Sequence, residues 1–140
     1  MEVQTVTGKI SASDMGVTPP HEHIFVDSRE SFPWSKPSQK DELHVVDARV
    51  SLEIMGFLLH NMFVCKDNFV LDDPETMANE LLMFKARGGK TVVDVTPRGT
   101  YSGPTLLRPT ALRDLSQKVG LNIVAGTSYS LFEKEPGQIL

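Results

Sequence analysis

The beginning of the chain alternates between apolar and polar positions in a way that predicts short strands. Val3–Ile10 alternates weakly around Gly8, which is typical of an N-terminal hairpin or strand. The next apolar run, Ile24–Val26, comes shortly after Pro20. Because proline has no backbone N–H to donate to a sheet, we expect this strand to start near Pro20 and to be short.

The following stretch changes from a polar to an apolar pattern. Residues 28–44 are polar and contain Pro33 and Pro37, which predicts a long exposed loop. From Val50–Phe63 the apolar residues recur near helical spacing. This spacing predicts a helix whose apolar face consists of Leu52, Met55, Leu59 and Phe63.

The clearest helix signals begin at Asp73. This aspartate can cap a helix, Pro74 fits its first turn, and Glu75 complements the positive end of the helix dipole. The pair Gly88–Gly89 predicts the end of the helix through a left-handed cap. The expected apolar face consists of Met77, Leu81 and Phe84, widened by Ala78 and Leu82.

The second half of the chain predicts a strand–helix–strand unit. Thr91–Thr96 is rich in β-branched residues, which favours a buried strand. Pro109–Val119 predicts a helix that ends at Gly120, and Leu121–Thr127 predicts a second buried strand. Two strands joined by a helix within about thirty residues imply a parallel sheet. The helix is expected to bury Leu112, Leu115 and Val119.

Composition narrows the class of protein. The 140 residues are 40% hydrophobic and 23% charged, which is typical of one folded domain. A formal net charge of −4 argues against nucleic acid or a membrane surface as partner. Cys65 is the single cysteine, so no disulfide can form within the chain. The N-terminus lacks a secretory signal and Ile54–Val64 is too short to span a bilayer, so we expect a cytoplasmic protein.

The sequence His21-Glu22-His23 is the strongest chemical signal. In a strand, His21 and His23 would lie on one face and Glu22 on the other, so the two imidazoles are spaced to bind one metal ion. Spacing alone also fits a surface pair without a ligand. His44 and His60 are further candidates, although an ordinary surface or helix role suits each of them better.

Several blocks of the sequence resemble one known family in register. Residues 16–27, which contain the His-x-His pair, closely resemble the first-strand signature of the phosphotriesterase-related family in the amidohydrolase superfamily. The resemblance extends over about residues 3–129. The other blocks that carry it are Val3–Gly8, Asp67–Asp73, Glu80–Gly89, Val92–Pro97 and Gly120–Thr127.

The resemblance implies an α/β fold that is the N-terminal part of a (β/α)₈ TIM barrel, truncated after about the third strand. Within one partial barrel domain over residues 1–140, we expect an N-terminal strand and first barrel strand (1–27) and a loop and helix (28–72). A helix and strand–helix–strand unit (73–129) and a divergent tail (130–140) follow.

The resemblance also implies a two-metal hydrolase, usually with zinc, in which His21 and His23 bind the more buried ion. A hydroxide activated by the metal would attack an ester, lactone, phosphotriester or amide bond of a small-molecule substrate. The family's other ligands are a carboxylated lysine on the fourth strand, histidines on the fifth and sixth, and an aspartate on the eighth. None has a counterpart here, and Lys90 is no substitute because it precedes its strand. No catalytic residue is therefore identified in the chain.

Three further residues have alternative interpretations. Tyr129 follows the last strand, where the family often places an aromatic residue near the substrate, but a packing role suits it better. Asp94 and Thr96 share a face near the end of their strand, and the fixing of a loop suits Asp94 better than a role in the site. The alternative to a hydrolase is a truncated, non-catalytic product. Such a chain would bind metal weakly or associate with other chains through its exposed sheet edges.

Overall fold

The computed structural model describes residues 1–29, 40–97 and 108–126. Tyr129 and the tail 130–140 lie outside these residues. The described strands and α-helices, in chain order, are β1 (Glu2–Thr5), β2 (Gly8–Ser11), β3 (Val26–Asp27), α1 (Leu52–Leu58), β4 (Val70–Leu71), α2 (Pro74–Ala86), β5 (Thr91–Asp94), α3 (Arg108–Val119) and β6 (Asn122–Ala125). Short 3₁₀ helices cover Ala12–Asp14, Lys40–Val45 and Lys66–Phe69.

The predicted N-terminal hairpin is confirmed. β1 and β2 pair antiparallel, with Val3 opposite Ile10. Gly8 follows the turn at a φ of 136°, which favours glycine because a side chain would clash with the backbone there. The hairpin contacts β6 through a hydrogen bond in which the backbone N–H of Val6 donates to the carbonyl of Ile123 at 2.9 Å.

The predicted parallel sheet and its connecting helix are also confirmed. β5 and β6 pair in parallel, and α3 begins at Arg108, one residue before its predicted start. Gly120 ends α3 with a φ of 66°, as a left-handed cap requires. Leu112, Leu115 and Val119 are buried as expected, so the spacing of apolar residues identified the correct face of the helix.

The segment that contains the two histidines runs beside β5, on the side away from β6. It forms isolated parallel bridges, Val17 with Gly89 and Glu22 with Asp94, rather than a regular strand. The N–H of Glu22 donates to the carbonyl of Val93 and the N–H of Val95 donates to that of Glu22, both at 2.9 Å. The predicted short strand is therefore reduced to bridges, since two consecutive prolines remove donors from this stretch.

Helix α2 confirms its predicted caps and most of its predicted face. The Asp73 carboxylate accepts from the backbone N–H groups of Glu75 and Thr76. Leu82 is wrong as a member of the apolar face, because it is 43% exposed. Successive residues of a helix are separated by about 100°, so Leu82 turns away from the core that Leu81 contacts. The core residues are Ile24, Phe25, Ala78, Val92, Leu112, Leu115, Val119, Leu121 and Ile123.

Two predictions for residues 28–72 are corrected by the structure. The last part of the loop expected over residues 28–44 is instead a 3₁₀ helix, Lys40–Val45, whose final residue is buried, while residues 30–39 of that loop lie outside the described residues. The expected helix from Val50–Phe63 is shorter, since α1 ends at Leu58. The side chain of Asn61 donates to the carbonyl of Phe57 at 3.1 Å, which satisfies a carbonyl of the last turn and helps to end the helix.

The buried face of α1 is also opposite to the predicted one. Leu58 is 4% exposed and packs with Val45 and Cys65 in a second, smaller core. Leu52 and Leu59, which belong to the expected apolar face, are 90% and 75% exposed. The face was mispredicted because almost every position of α1 is apolar, so spacing alone cannot select which side packs. No helix in the described part of the chain has the length and apolar character needed to cross a bilayer.

Candidate metal centre

His21 and His23 lie at the carboxyl end of β5, where the bridge between Glu22 and Asp94 holds their backbone. Both side chains are exposed. Their ring centroids are 5.5 Å apart with an interplanar angle of 78°. The predicted arrangement on one face therefore agrees with the contact between the two rings, and the carboxyl end of a strand is where barrel enzymes collect their catalytic groups.

The geometry of the pair fits a shared divalent ion. Zinc binds histidine nitrogen at about 2.0–2.1 Å, so two imidazoles on one tetrahedral ion have ring centres about 5 Å apart. The observed separation of 5.5 Å is close to that value. Imidazole nitrogen is also a donor that zinc, cobalt and iron accept. The pair can therefore supply two ligands to such an ion.

Within the described residues, no group of three or more His, Cys, Asp and Glu side chains is placed to hold a metal ion. His44 and His60 are exposed and do not complete such a group with the pair. Lys90 lies at the amino end of β5, as expected, because it immediately precedes Thr91 and donates its backbone N–H to the carbonyl of Val17. It is thus remote from the carboxyl end where His23 lies.

Asp94 and Thr96 connect the buried sheet to His23. Both side chains are fully buried. The Oδ1 atom of Asp94 accepts from the backbone N–H of Thr96 at 2.9 Å and from its hydroxyl at 2.5 Å. The hydroxyl oxygen of Thr96 lies 3.2 Å from the Nδ1 atom of His23. The shared face predicted for Asp94 and Thr96 is therefore a hydrogen-bonded contact that extends to a candidate metal ligand.

Arg108, which the sequence did not single out, forms a buried ion pair beneath the candidate site. Its guanidinium is 2.9 Å from the Oδ2 atom of Asp94, and its Nη1 atom donates to the carbonyl of Gly126 at 3.1 Å. The side chains of Arg108 and Asp94 are 10% and 0% exposed. The sequence contained a signal for this role, because a cation in the first turn of a helix is disfavoured by the helix dipole and therefore suggests a nearby negative partner. That partner is the buried carboxylate of Asp94.

The comparison with protein families decides the ancestry of this chain. A sequence model described as the Phosphotriesterase family matches residues 1–133. The chain belongs to the phosphotriesterase family.

Relatives within the phosphotriesterase family are longer than this chain. The Phosphotriesterase-related protein of Nematostella vectensis is 31% identical over 139 residues, which cover 97% of this chain and 38% of that protein. The N-acetyltaurine hydrolase of Tetraodon nigroviridis is 34% identical over 133 residues, which cover 91% and 35%. The chain therefore spans little more than a third of the curated relatives that it matches.

A solved structure of the same family supports the fold. A Resiniferatoxin-binding protein from Rhodobacter sphaeroides superimposes with a TM-score of 0.83 at 35% identity, covering 93% of this chain and 34% of that protein. The structural neighbours are TIM-barrel proteins of the phosphotriesterase family. The described residues form an α/β unit with three two-stranded sheets and no closed barrel. The comparison thus confirms that the chain is related to TIM barrels. The described strands form only part of such a barrel.

Proposed function

We propose that this phosphotriesterase-family chain forms part of a metal-dependent hydrolase in which His21 and His23 bind one divalent ion. The observation that carries the proposal is the pair of imidazoles with ring centres 5.5 Å apart at the carboxyl end of a parallel strand. The family resemblance favours zinc and a binuclear centre. Family membership over residues 1–133 supports hydrolysis as the reaction class.

The chemistry assigned to the chain's own residues is limited to holding and orienting. A bound divalent ion would supply Lewis acidity and an activated water for attack on an ester, lactone, phosphotriester or amide. His21 and His23 would donate ring nitrogens to it. Catalytic zinc sites use three protein ligands and keep one position for water or substrate. We therefore propose that the remaining ligands come from residues outside those that the structure describes.

The proposed substrate is a small molecule with a hydrolysable acyl or phosphoryl bond. The hydrolase from Tetraodon nigroviridis, whose name specifies N-acetyltaurine, favours including amides in this class. The formal net charge of −4 disfavours polyanionic nucleic acid as a substrate. Tyr129, which lies outside the described residues, remains a predicted substrate contact, since it follows β6 in the sequence.

A second candidate function is a non-catalytic chain that binds metal weakly or associates with other chains. The described residues supply two metal ligands rather than three, which favours weak binding. Several large apolar side chains on and after α1 are also exposed, which favours association through this surface. These are Leu52 (90%), Leu59 (75%), Met62 (56%) and Phe63 (38%).

The test measures bound zinc and hydrolysis on the same protein preparations. The purified chain is equilibrated with zinc, and its metal content is compared with those of His21→Ala, His23→Ala and the double variant. His60→Ala is the matched control, because His60 is an exposed histidine that forms no metal-binding group with the pair among the described residues. Hydrolysis is assayed with an ester, a lactone, a phosphotriester and N-acetyltaurine.

We expect the double variant to lose the bound zinc and any turnover, and His60→Ala to retain both. Zinc binding without turnover, together with a molecular mass above that of one chain, would favour the second candidate. Zinc content and turnover that persist unchanged in the double variant would overturn the proposal.

A further inference from the structure

The two candidate ligands differ in how the protein supports them. A neutral imidazole carries its proton on either Nδ1 or Nε2, and only the nitrogen without a proton can bind a metal ion. His23 places Nδ1 3.2 Å from the hydroxyl oxygen of Thr96. Among the described residues, His21 has no comparable contact with a buried hydroxyl. The protein can therefore select the protonated nitrogen at His23 in a way that it cannot at His21.

The direction of the hydrogen bond between His23 and Thr96 follows from the donors available. The hydroxyl of Thr96 has one proton, and Oδ1 of Asp94 accepts it at 2.5 Å. The Asp94 carboxylate has no proton to donate. Its other oxygen, Oδ2, lies 2.9 Å from the guanidinium of Arg108, which is always protonated. The hydroxyl oxygen of Thr96 is thus left as an acceptor, so Nδ1 of His23 must be the donor.

We propose that Thr96, oriented by Asp94 and Arg108, is a positioning residue that fixes His23 as the Nδ1–H tautomer. Nε2 of His23 then carries the lone pair and is available to a metal ion. The consequence for metal binding rests on the function proposed above, whereas the tautomer itself does not. Partners that fix the tautomer of a ligating histidine commonly change metal affinity by about 10–100-fold when they are removed.

The tautomer is measured directly in the metal-free chain. Histidine is labelled with ¹⁵N, and long-range ¹H–¹⁵N spectra are recorded at about pH 8, above the ordinary histidine pKa of about 6.5. These spectra distinguish the two tautomers by their nitrogen shifts. We expect His23 to be the Nδ1–H form, whereas His21 serves as an internal reference with the Nε2–H form that a free imidazole favours.

Two substitutions separate the hydroxyl from the shape of the side chain. Thr96→Val replaces the hydroxyl by a methyl group of similar size, and we expect His23 to change to the Nε2–H form. Thr96→Ser keeps the hydroxyl, and we expect it to retain the Nδ1–H form. Zinc affinity, measured by competition with a chelator, should fall about 10–100-fold in Thr96→Val and stay close to the original value in Thr96→Ser.

The outcomes distinguish this inference from the proposed function. An Nε2–H form of His23 in the unchanged chain overturns the inference, whatever the zinc affinity is, and this result requires no variant to fold. The same tautomer in the unchanged chain and in folded Thr96→Val also overturns it. If His23 is the Nδ1–H form and responds to Thr96→Val, but the unchanged chain binds no zinc, the positioning role stands and the metal-binding proposal fails.

Discussion

The strand–helix–strand unit from β5 to β6 and the segment from residue 40 to residue 71 are both organised around buried apolar side chains. In the first, α3 has one apolar face between polar ones, and that face is buried. In the second, α1 is apolar on nearly all sides, and Leu58 rather than Leu59 is buried. A clear polar face thus specifies the orientation of a helix more firmly than a high content of apolar residues does.

The two regions also differ in their relation to the candidate metal centre. The strand–helix–strand unit supplies Asp94, Thr96 and Arg108, which join His23 to the interior through hydrogen bonds and an ion pair. The segment around α1 has its own small core of Val45, Leu58 and Cys65. Substitutions in the first region should therefore affect both stability and the proposed metal binding, whereas substitutions in the second should affect mainly stability.

The largest effect is expected from Arg108→Met. The substitution leaves the Asp94 carboxylate buried without its cation, and breaking a buried ion pair in this way costs about 3–5 kcal/mol. Urea unfolding followed by circular dichroism measures the loss. The control is Arg113→Met on the same helix, because the Arg113 side chain is 50% exposed and its pair with Asp114 is at the surface. Surface pairs contribute about 0–1 kcal/mol. Equal losses in the two variants would contradict a buried, structural ion pair at Arg108.

An intermediate effect is expected from Leu58→Ala. Leu58 is 4% exposed, and truncating a buried leucine costs about 2–5 kcal/mol. Leu59→Ala is the matched control, since Leu59 is 75% exposed and its truncation should change the free energy of unfolding by about 0.5 kcal/mol or less. Both are measured by urea unfolding. A larger loss in Leu59→Ala would mean that α1 buries the face predicted from the sequence.

The smallest effect is expected from Asp73→Asn at the start of α2. The hydroxyl of Thr76 and the backbone N–H groups of Glu75 and Thr76 donate to the Asp73 carboxylate and hold its pKa below the ordinary value of 3.8. The pKa of Asp73 is lower in the folded chain than in the unfolded chain. The stabilisation by the ionised carboxylate is therefore fully present above pH 3.8, and it is lost as the pH falls through the lower pKa of the folded chain. We therefore expect Asp73→Asn to lower Tm slightly at neutral pH.

The difference in Tm between the unchanged chain and Asp73→Asn should shrink below pH 3.8 and disappear as the pH falls through the lower pKa of Asp73 in the folded state. Thermal unfolding followed across this pH range measures it. Asp72→Asn, which precedes the cap, is the matched control and should leave the acid-dependent difference in place. A difference that grows as the pH falls would show that the carboxylate is not the stabilising form.

Local signals in the sequence predicted much of the fold. Asp73 caps α2 through backbone groups two and three residues away, and Gly120 ends α3 through its own φ, so both features are determined by neighbours in the chain. The spacing of His21 and His23 also placed the candidate ligands correctly on one face. The ancestry followed from the blocks of resemblance over most of the chain, and the family comparison confirmed it.

The features that the sequence did not predict depend on contacts between distant residues. Thr96 and His23 are 73 residues apart in the chain, so no local sequence pattern predicts their contact. Arg108 was missed because its partner, Asp94, belongs to a preceding strand. The buried side of α1 depends on Val45 and Cys65, which reach Leu58 only after the chain has folded back. Tertiary packing rather than local preference decides each of these.

The bridge between Glu22 and Asp94 makes the candidate metal-binding pair, His21 and His23, depend on the alignment of this segment with β5. If this segment slid along β5 by one residue, the alternation of side chains would place Glu22 where an imidazole now lies and turn both histidines to the opposite side. The proposed binding of a divalent ion would then be lost without any change in amino-acid composition. Zinc titration of partly denatured samples should therefore report whether the segment around Glu22 is paired with β5 in its native register. The helix content of the same samples is measured separately by circular dichroism.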